Sequence, residues 1–167
     1  QDYIDAITRH ESGGRADAAN PNSSAVGAHQ FIESTWLRTI QQHGSEIGMS
    51  RVAAQINPDG SVSDPAMRAS ILALRTDPAV SERVLRAFTS ANSSYLAGKL
   101  GRPATNAELH AAHVLGPSGA WTLITAARDR APDAASLLPA AAAKNHNLFY
   151  QGRTPLSAAA VLANMRL

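Results

Sequence analysis

Glu11 is the residue whose setting most invites chemistry. Ile4, Ile7 and Glu11 stand at i, i+3 and i+7, so a helix over residues 2–12 places all three on one face. The carboxyl then ends an apolar stripe, directly before Gly13-Gly14 and a loop through which a ligand can enter. Desolvation disfavours a charged carboxylate and raises its pKa. The protonated state is what a general acid needs near neutral pH. The alternative is a Glu of the last helical turn that swings out to water, because Glu is rarely buried without a partner. The stripe alone leaves both readings open.

Other groupings are weaker. His110 and His113 are three apart on an expected helix with Glu108 nearby, so the pair can face one metal ion, but a third ligand is wanting. Helix packing or ligand contact explains the pair more simply, and the expectation is no metal site and no cofactor. His10-Glu11 does not open an H-E-x-x-H motif, because position 14 is glycine. Gly116-Pro117-Ser118-Gly119 is not a G-x-S-x-G elbow, and Gly98-Lys99 has no phosphate loop before it. Trp36 and Trp121 can stack on sugars, although each sits among helical apolar residues that favour core packing. Tyr150 beside Phe149 suits either role.

Around Glu11 a longer pattern emerges. Glu11-Ser12-Gly13-Gly14 is followed by Asn20-Pro21-Asn22-Ser23-Ser24-Ala25-Val26-Gly27-Ala28-His29-Gln30-Phe31 and then Thr35-Trp36-Leu37. This stretch resembles the catalytic core of the lytic transglycosylases, and more narrowly the soluble lytic transglycosylase domain with its Glu-Ser and Gly-x-x-Gln-Phe motifs. Residues Ala107 to Pro117 resemble that family's third motif, Ala-Tyr-Asn-x-Gly, and Asn145 to Tyr150 its closing Tyr segment. The likeness covers roughly residues 1–150. It departs at the third motif, where His113 replaces Tyr and Val114 replaces Asn. Unlike Tyr, His113 titrates near neutral pH.

The resemblance implies an all-α, mainly helical lysozyme-like fold as a single catalytic domain over 1–167, with its motif core at 9–37 and 107–150. It implies cleavage of the MurNAc–GlcNAc β-1,4 bond of peptidoglycan without hydrolysis, with Glu11 as sole acid and base. Ser24, Gln30, Phe31, His113 and Tyr150 would contact the glycan strand. It further implies a bacterial periplasm or cell envelope, with a secretion, flagellar or phage assembly as the wider partner. A retaining or inverting glycosidase normally needs two carboxylates, ~5–5.5 Å or ~6.5–9.5 Å apart. Asp17 reads as a solvated loop residue and Glu33 as a solvent-facing helical one, so neither makes a recognisable second carboxylate. The rival activities are a hydrolytic muramidase on the same fold and a non-catalytic peptidoglycan-binding module.

The elements that must position these residues are helices. The 167 residues are 44 % apolar and 17 % charged, against about 25 % charged in an average domain, which suits a folded globule. Alanine, the best helix former, occurs 33 times. Cysteine is absent, which excludes disulfides and thiolate metal sites. A net charge of +2, with scattered Lys and Arg, offers no nucleic-acid surface but tolerates an anionic polymer. No apolar run reaches the ~20 residues of a membrane span. The chain begins at Gln1 and is expected to be a processed or trimmed product.

Helices are expected over 2–12, 28–43, weakly over 45–56, then from Asp64-Pro65 and from Asp77-Pro78 to about Ala97. Val80, Val84, Phe88, Ala91 and Tyr95 give the last of these a buried stripe. Thr105 to Glu108 is a capping box, opening a helix that Gly116-Pro117 closes. Further helices are expected over 119–130 and 133–147 and from Thr154-Pro155 onward.

Overall fold

The computed structural model describes residues 3–12, 15, 18–19, 25–27 and 29–167; of Glu11 and Ser12 it describes the backbone only. The chain is mainly helical and forms two compact units, Gln1–Phe88 and Thr89–Leu167. Among the described residues, no helix is long and apolar enough to cross a membrane.

The first unit opens with α1 (Tyr3–Ser12), whose Ile4 and Ile7 are buried as the stripe requires. Asp2, where the expected helix begins, lies outside the described residues. Helix α2 (Glu33–His43) starts five residues later than the sequence pattern suggests. Gly27 and Gln30 both take positive φ, and Val26 bridges to Phe31, so Gly27, His29 and Gln30 form a turn and not a helix. A 3-10 turn (Gly44–Ile47) and the single-turn α3 (Ser50–Ala53) replace the weak helix expected over 45–56. The Asn57-Pro58-Asp59-Gly60 turn closes through Gly60 N–H donating to the Asn57 carbonyl at 2.8 Å. Asp64 caps α4 (Pro65–Ala73) by accepting from Ala66 N–H at 3.0 Å, with Pro at the first turn. After a 3-10 turn (Leu74–Thr76), Asp77 caps α5 (Pro78–Leu100) in the same way, through Ala79 and Val80.

The buried face of α5 follows the expected stripe at Val84 and leaves it at Tyr95. Ser81, Val84, Leu85, Asn92 and Leu96 are buried, Phe88 is half-buried, and Tyr95 is exposed. Val84 is fully buried as the stripe requires, and the departure comes at its far end, where Leu96 and not Tyr95 turns inward.

In the second unit the capping box is complete at the start of α6 (Asn106–Arg128). Glu108 N–H donates to Thr105 Oγ1, and Thr105 N–H donates to the Glu108 carboxylate. Gly116, at φ 76°, breaks α6 where the sequence places a stop, and a second helical stretch follows at once. The rest is short pieces: α7 (Ala134–Leu137), α8 (Pro139–Lys144) and α9 (His146–Phe149). Thr154-Pro155 does not start a helix. It forms β2 (Thr154–Pro155), antiparallel to β1 (Tyr150–Gln151), and the last helix α10 (Ala158–Asn164) is capped by Ser157 instead. Alanines 111, 112, 120, 126, 134, 135, 142 and 158 sit in this unit's core with Leu123, Phe149, Val161 and Met165. Their small side chains allow α6 and α10 to pack closely.

Candidate functional site

Two groups of motif residues are described, one in each unit. In the first unit the chain from Ala18 to Phe31 folds back on itself through bridges between Ala19 and Val26 and between Val26 and Phe31. Gly27 N–H donates to the Ala18 carbonyl at 2.7 Å, and Gln30 N–H to the Gly27 carbonyl at 3.1 Å. Gly27 has φ 91°, and its Cα lies so close to the Arg75 carbonyl that a methyl there would collide with the oxygen. Gln30, at φ 50°, is a non-glycine residue in the left-handed region, a conformation that its surroundings must hold in place. Its own amide helps. Nε2 donates to the Ala18 carbonyl at 3.0 Å and to the Gly27 carbonyl at 2.8 Å. Gln30 is half-buried and both amide protons serve the loop.

Phe31 is 2 % exposed and sits in the core, edge-on to Trp36 at 5.2 Å and to Phe88 at 6.0 Å between ring centres. Trp36 is fully buried and donates Nε1–H to the Ile71 carbonyl at 2.9 Å, which makes it a packing residue. Behind the loop stands Arg75, only 7 % exposed. Its Nε donates to the Leu72 carbonyl at 3.0 Å and its Nη1 to the Phe31 carbonyl at 3.1 Å. Burial pushes the guanidinium below its ordinary pKa, and the Glu33 carboxylate opposes that shift. Glu33 also pairs with Arg68 at 2.9 Å, so it is a bridging carboxylate and not merely a solvent-facing one. His29 is buried and shares a 2.8 Å hydrogen bond between Nδ1 and Ser81 Oγ on α5. Desolvation lowers the His29 pKa, partly offset by Glu82.

The sequence singled out neither Arg75 nor His29. His29 lies inside the Gly-x-x-Gln motif, where proximity was the available signal. Arg75 had none, because the carbonyl it serves is 44 residues away along the chain.

In the second unit His113 lies half-buried on α6, its ring 6.4 Å from that of His110. His110 is 2 % exposed, and its Nδ1–H donates to the Met165 carbonyl at 2.8 Å, tying α6 to the end of α10. Glu108 is held by Arg102 through two hydrogen bonds of 2.8 and 2.9 Å and by Thr105 N–H at 2.8 Å. The Arg102 hydrogen bonds are the main reason its carboxyl pKa lies below the ordinary range, with burial opposing. His110 and Glu108 are therefore spent on packing and on a helix end. Among the described residues, no three His, Asp or Glu side chains gather to hold a metal ion. Tyr150 starts β1 with its ring stacked on His146, 4.6 Å between centres and 10° between planes. Trp121 is half-buried under the Arg128 guanidinium at 5.8 Å.

Glu11 belongs by its backbone to the last turn of α1, but its side chain lies outside the described residues, as do Ser24 and Asp17. The structure thus brings Gln30 and Phe31 together in one loop, and His113 and Tyr150 lie in the other unit.

No family model matches the chain. A segment of 35 residues, 21 % of the chain, is 49 % identical to the "Probable transglycosylase SceD" of Staphylococcus aureus (strain MRSA252). A segment of 34 residues, 20 % of the chain, is 50 % identical to "Probable transglycosylase SceD 3" of Staphylococcus saprophyticus. These segments span only 15 % and 14 % of the two relatives' lengths. The likeness supports a transglycosylase-like relationship.

Proposed function

We propose that this chain is a peptidoglycan lytic transglycosylase, a single catalytic domain over residues 1–167 with a lysozyme-like fold, acting in the bacterial cell envelope. The observation that carries this reading is the half-identical segment shared with proteins named as probable transglycosylases. Glu11 protonates the glycosidic oxygen of a MurNAc–GlcNAc bond as that bond breaks. The resulting carboxylate then takes the proton from the C6 hydroxyl of the same muramyl residue. That oxygen attacks its own anomeric carbon and closes a 1,6-anhydro ring. Tethering the nucleophile to the reacting sugar supplies the effective-molarity advantage of an intramolecular step.

The chain's other residues fit supporting roles in this reading. Gln30 and Phe31 shape the loop that follows the acid, with the Gln30 amide turned to backbone carbonyls. Ser24, His113 and Tyr150 contact the sugars. Among the described residues Glu33 and Glu108 are engaged by Arg68 and Arg102, which suits a mechanism with one catalytic carboxyl. A hydrolase would need a carboxylate open to hold a water.

The test is Glu11→Gln. Glutamine keeps the shape but cannot donate a catalytic proton, so clearing of purified sacculi should fall by about a hundredfold or more with an unchanged circular dichroism spectrum. A folded variant that retains more than a few per cent of the parent rate would refute Glu11 as the acid.

A further inference from the structure

On the first unit three elements line an open groove of about 510 Å³. Its floor is apolar: Met49 and Val52 from α3 and the turn before it, Leu74 after α4, and Val80 from the start of α5. Met49 is buried and the other three are half-buried. Two cations stand on the walls, Arg51 on α3 and Arg83 on α5. They come from different elements, and both line the groove.

Neither arginine is neutralised among the described residues. Arg83 donates Nη1–H to the Ile47 carbonyl at 2.9 Å, which fixes its guanidinium beside Gly48 without a counter-charge. No hydrogen bond or ion pair holds Arg51 among the described residues. The acidic residues adjacent in sequence have partners elsewhere. Glu46 faces His43 at 3.3 Å, and Glu82 pairs with Arg86 at 2.9 Å. A guanidinium pairs with carboxylate or phosphate in fixed planar geometry. Two of them in a lining that is otherwise largely apolar suit a ligand that is both anionic and apolar.

We propose that this groove docks a short acidic peptide segment of a protein partner, with an apolar side chain on the floor and flanking carboxylates on Arg51 and Arg83. The volume is that of a pocket for a ligand of a few residues, inside the range of about 300–1,000 Å³. The apolar floor decides between a peptide and an anionic polymer, because a polyphosphate backbone has no apolar group to place there. The site lies outside the residues assigned to catalysis and does not depend on that assignment.

The experiment uses the full 15N-labelled chain and three probes: acetyl-Glu-Leu-Glu-Leu-Glu-amide, its Gln-for-Glu counterpart and inorganic polyphosphate. The acidic peptide should give saturable shifts at the amides of Gly48, Met49, Val52 and Val80, reduced by added salt. Arg51→Gln and Arg83→Gln should each weaken binding by about fivefold, and the double variant should abolish it. Arg51→Gln removes an exposed side chain that makes no hydrogen bond or ion pair with the described residues, so it decides the matter if Arg83→Gln fails to fold. Clearing of sacculi should be unchanged in both. No saturable shift at millimolar peptide, equal binding of the Gln peptide, or tighter binding of polyphosphate at the same amides would each overturn the proposal.

Discussion

The loop of Ala18 to Phe31 and the alanine-rich second unit are held together by opposite means. At Ala18, Gly27 and Phe31 the backbone is buried outside any helix or sheet, so its carbonyls need donors brought from elsewhere. Arg75 serves Phe31 and Leu72, and the Gln30 amide serves Ala18 and Gly27. Long polar side chains replace the missing ladder. In the second unit, helices satisfy their own backbone, and small side chains bring them together. Polar side chains there work at helix ends: Thr105 and Glu108, Asp133, Ser157, and His110 on the Met165 carbonyl. One region is vulnerable to losing a large side chain, the other to gaining one.

The largest expected effect on stability follows from the loop. Arg75→Ala leaves the Phe31 and Leu72 carbonyls without that donor and opens a hole beneath the motif. Stability should fall by about 3 kcal/mol in urea unfolding, and amide protection should fall most at Val26, Gly27 and Gln30. A loss below about 1 kcal/mol would mean that Arg75 is not what holds the loop. The counterpart is Ala112→Leu, at a fully buried position on α6. Overpacking should cost about 2 kcal/mol, with protection lost in α6 and α10. A neutral result would show slack in the alanine packing and weaken the contrast.

Acid should sharpen the comparison with the smallest effect. Burial holds the His29 pKa below its ordinary value of about 6.5, so the unfolded chain binds the proton more readily. The contribution of neutral His29 is complete above about 6.5 and is lost as pH falls from there through the folded pKa. Glu108 behaves differently. Arg102 lowers its pKa, so its contribution persists down to the ordinary carboxylate range near about 4.3 and is lost only as pH falls below it through the folded value. Between pH 7 and 5, protection factors should drop at Gln30 and Phe31 but hold at Leu109 to Ala112. A parallel drop in both regions would contradict these assignments.

What the sequence disclosed follows the same division. Asp64, Asp77 and the Thr105–Glu108 box were legible because each cap spans two or three residues. The break at Gly116 was legible for a similar local reason. On α5 the pattern marks Val84 correctly but not the buried Leu96 beside the exposed Tyr95, because alanines and serines between Val84 and Leu96 blur the apolar period. Helix α2 was started too early, because nothing local announces that Gln30 takes a positive φ. Thr154-Pro155 resembles a helix start in sequence, yet Gly152 at φ 62° turns the chain into a hairpin first. In the motif loop, the residue types of Gln30 and Phe31 were visible, but their structural duties depend on partners such as Arg75 and Phe88 that no local spacing reveals.

The central claim is a chemical one, that the C6 hydroxyl of the muramyl residue and not water is the nucleophile. Its most direct test is digestion of purified sacculi by this protein without borohydride reduction, followed by mass spectrometry of the released muropeptides. The account predicts that new muramyl ends are predominantly 1,6-anhydro sugars, each lighter by one water than a reducing end. Predominantly reducing ends would contradict it, and Asp17→Asn and Glu33→Gln would then identify the carboxylate that activates the water.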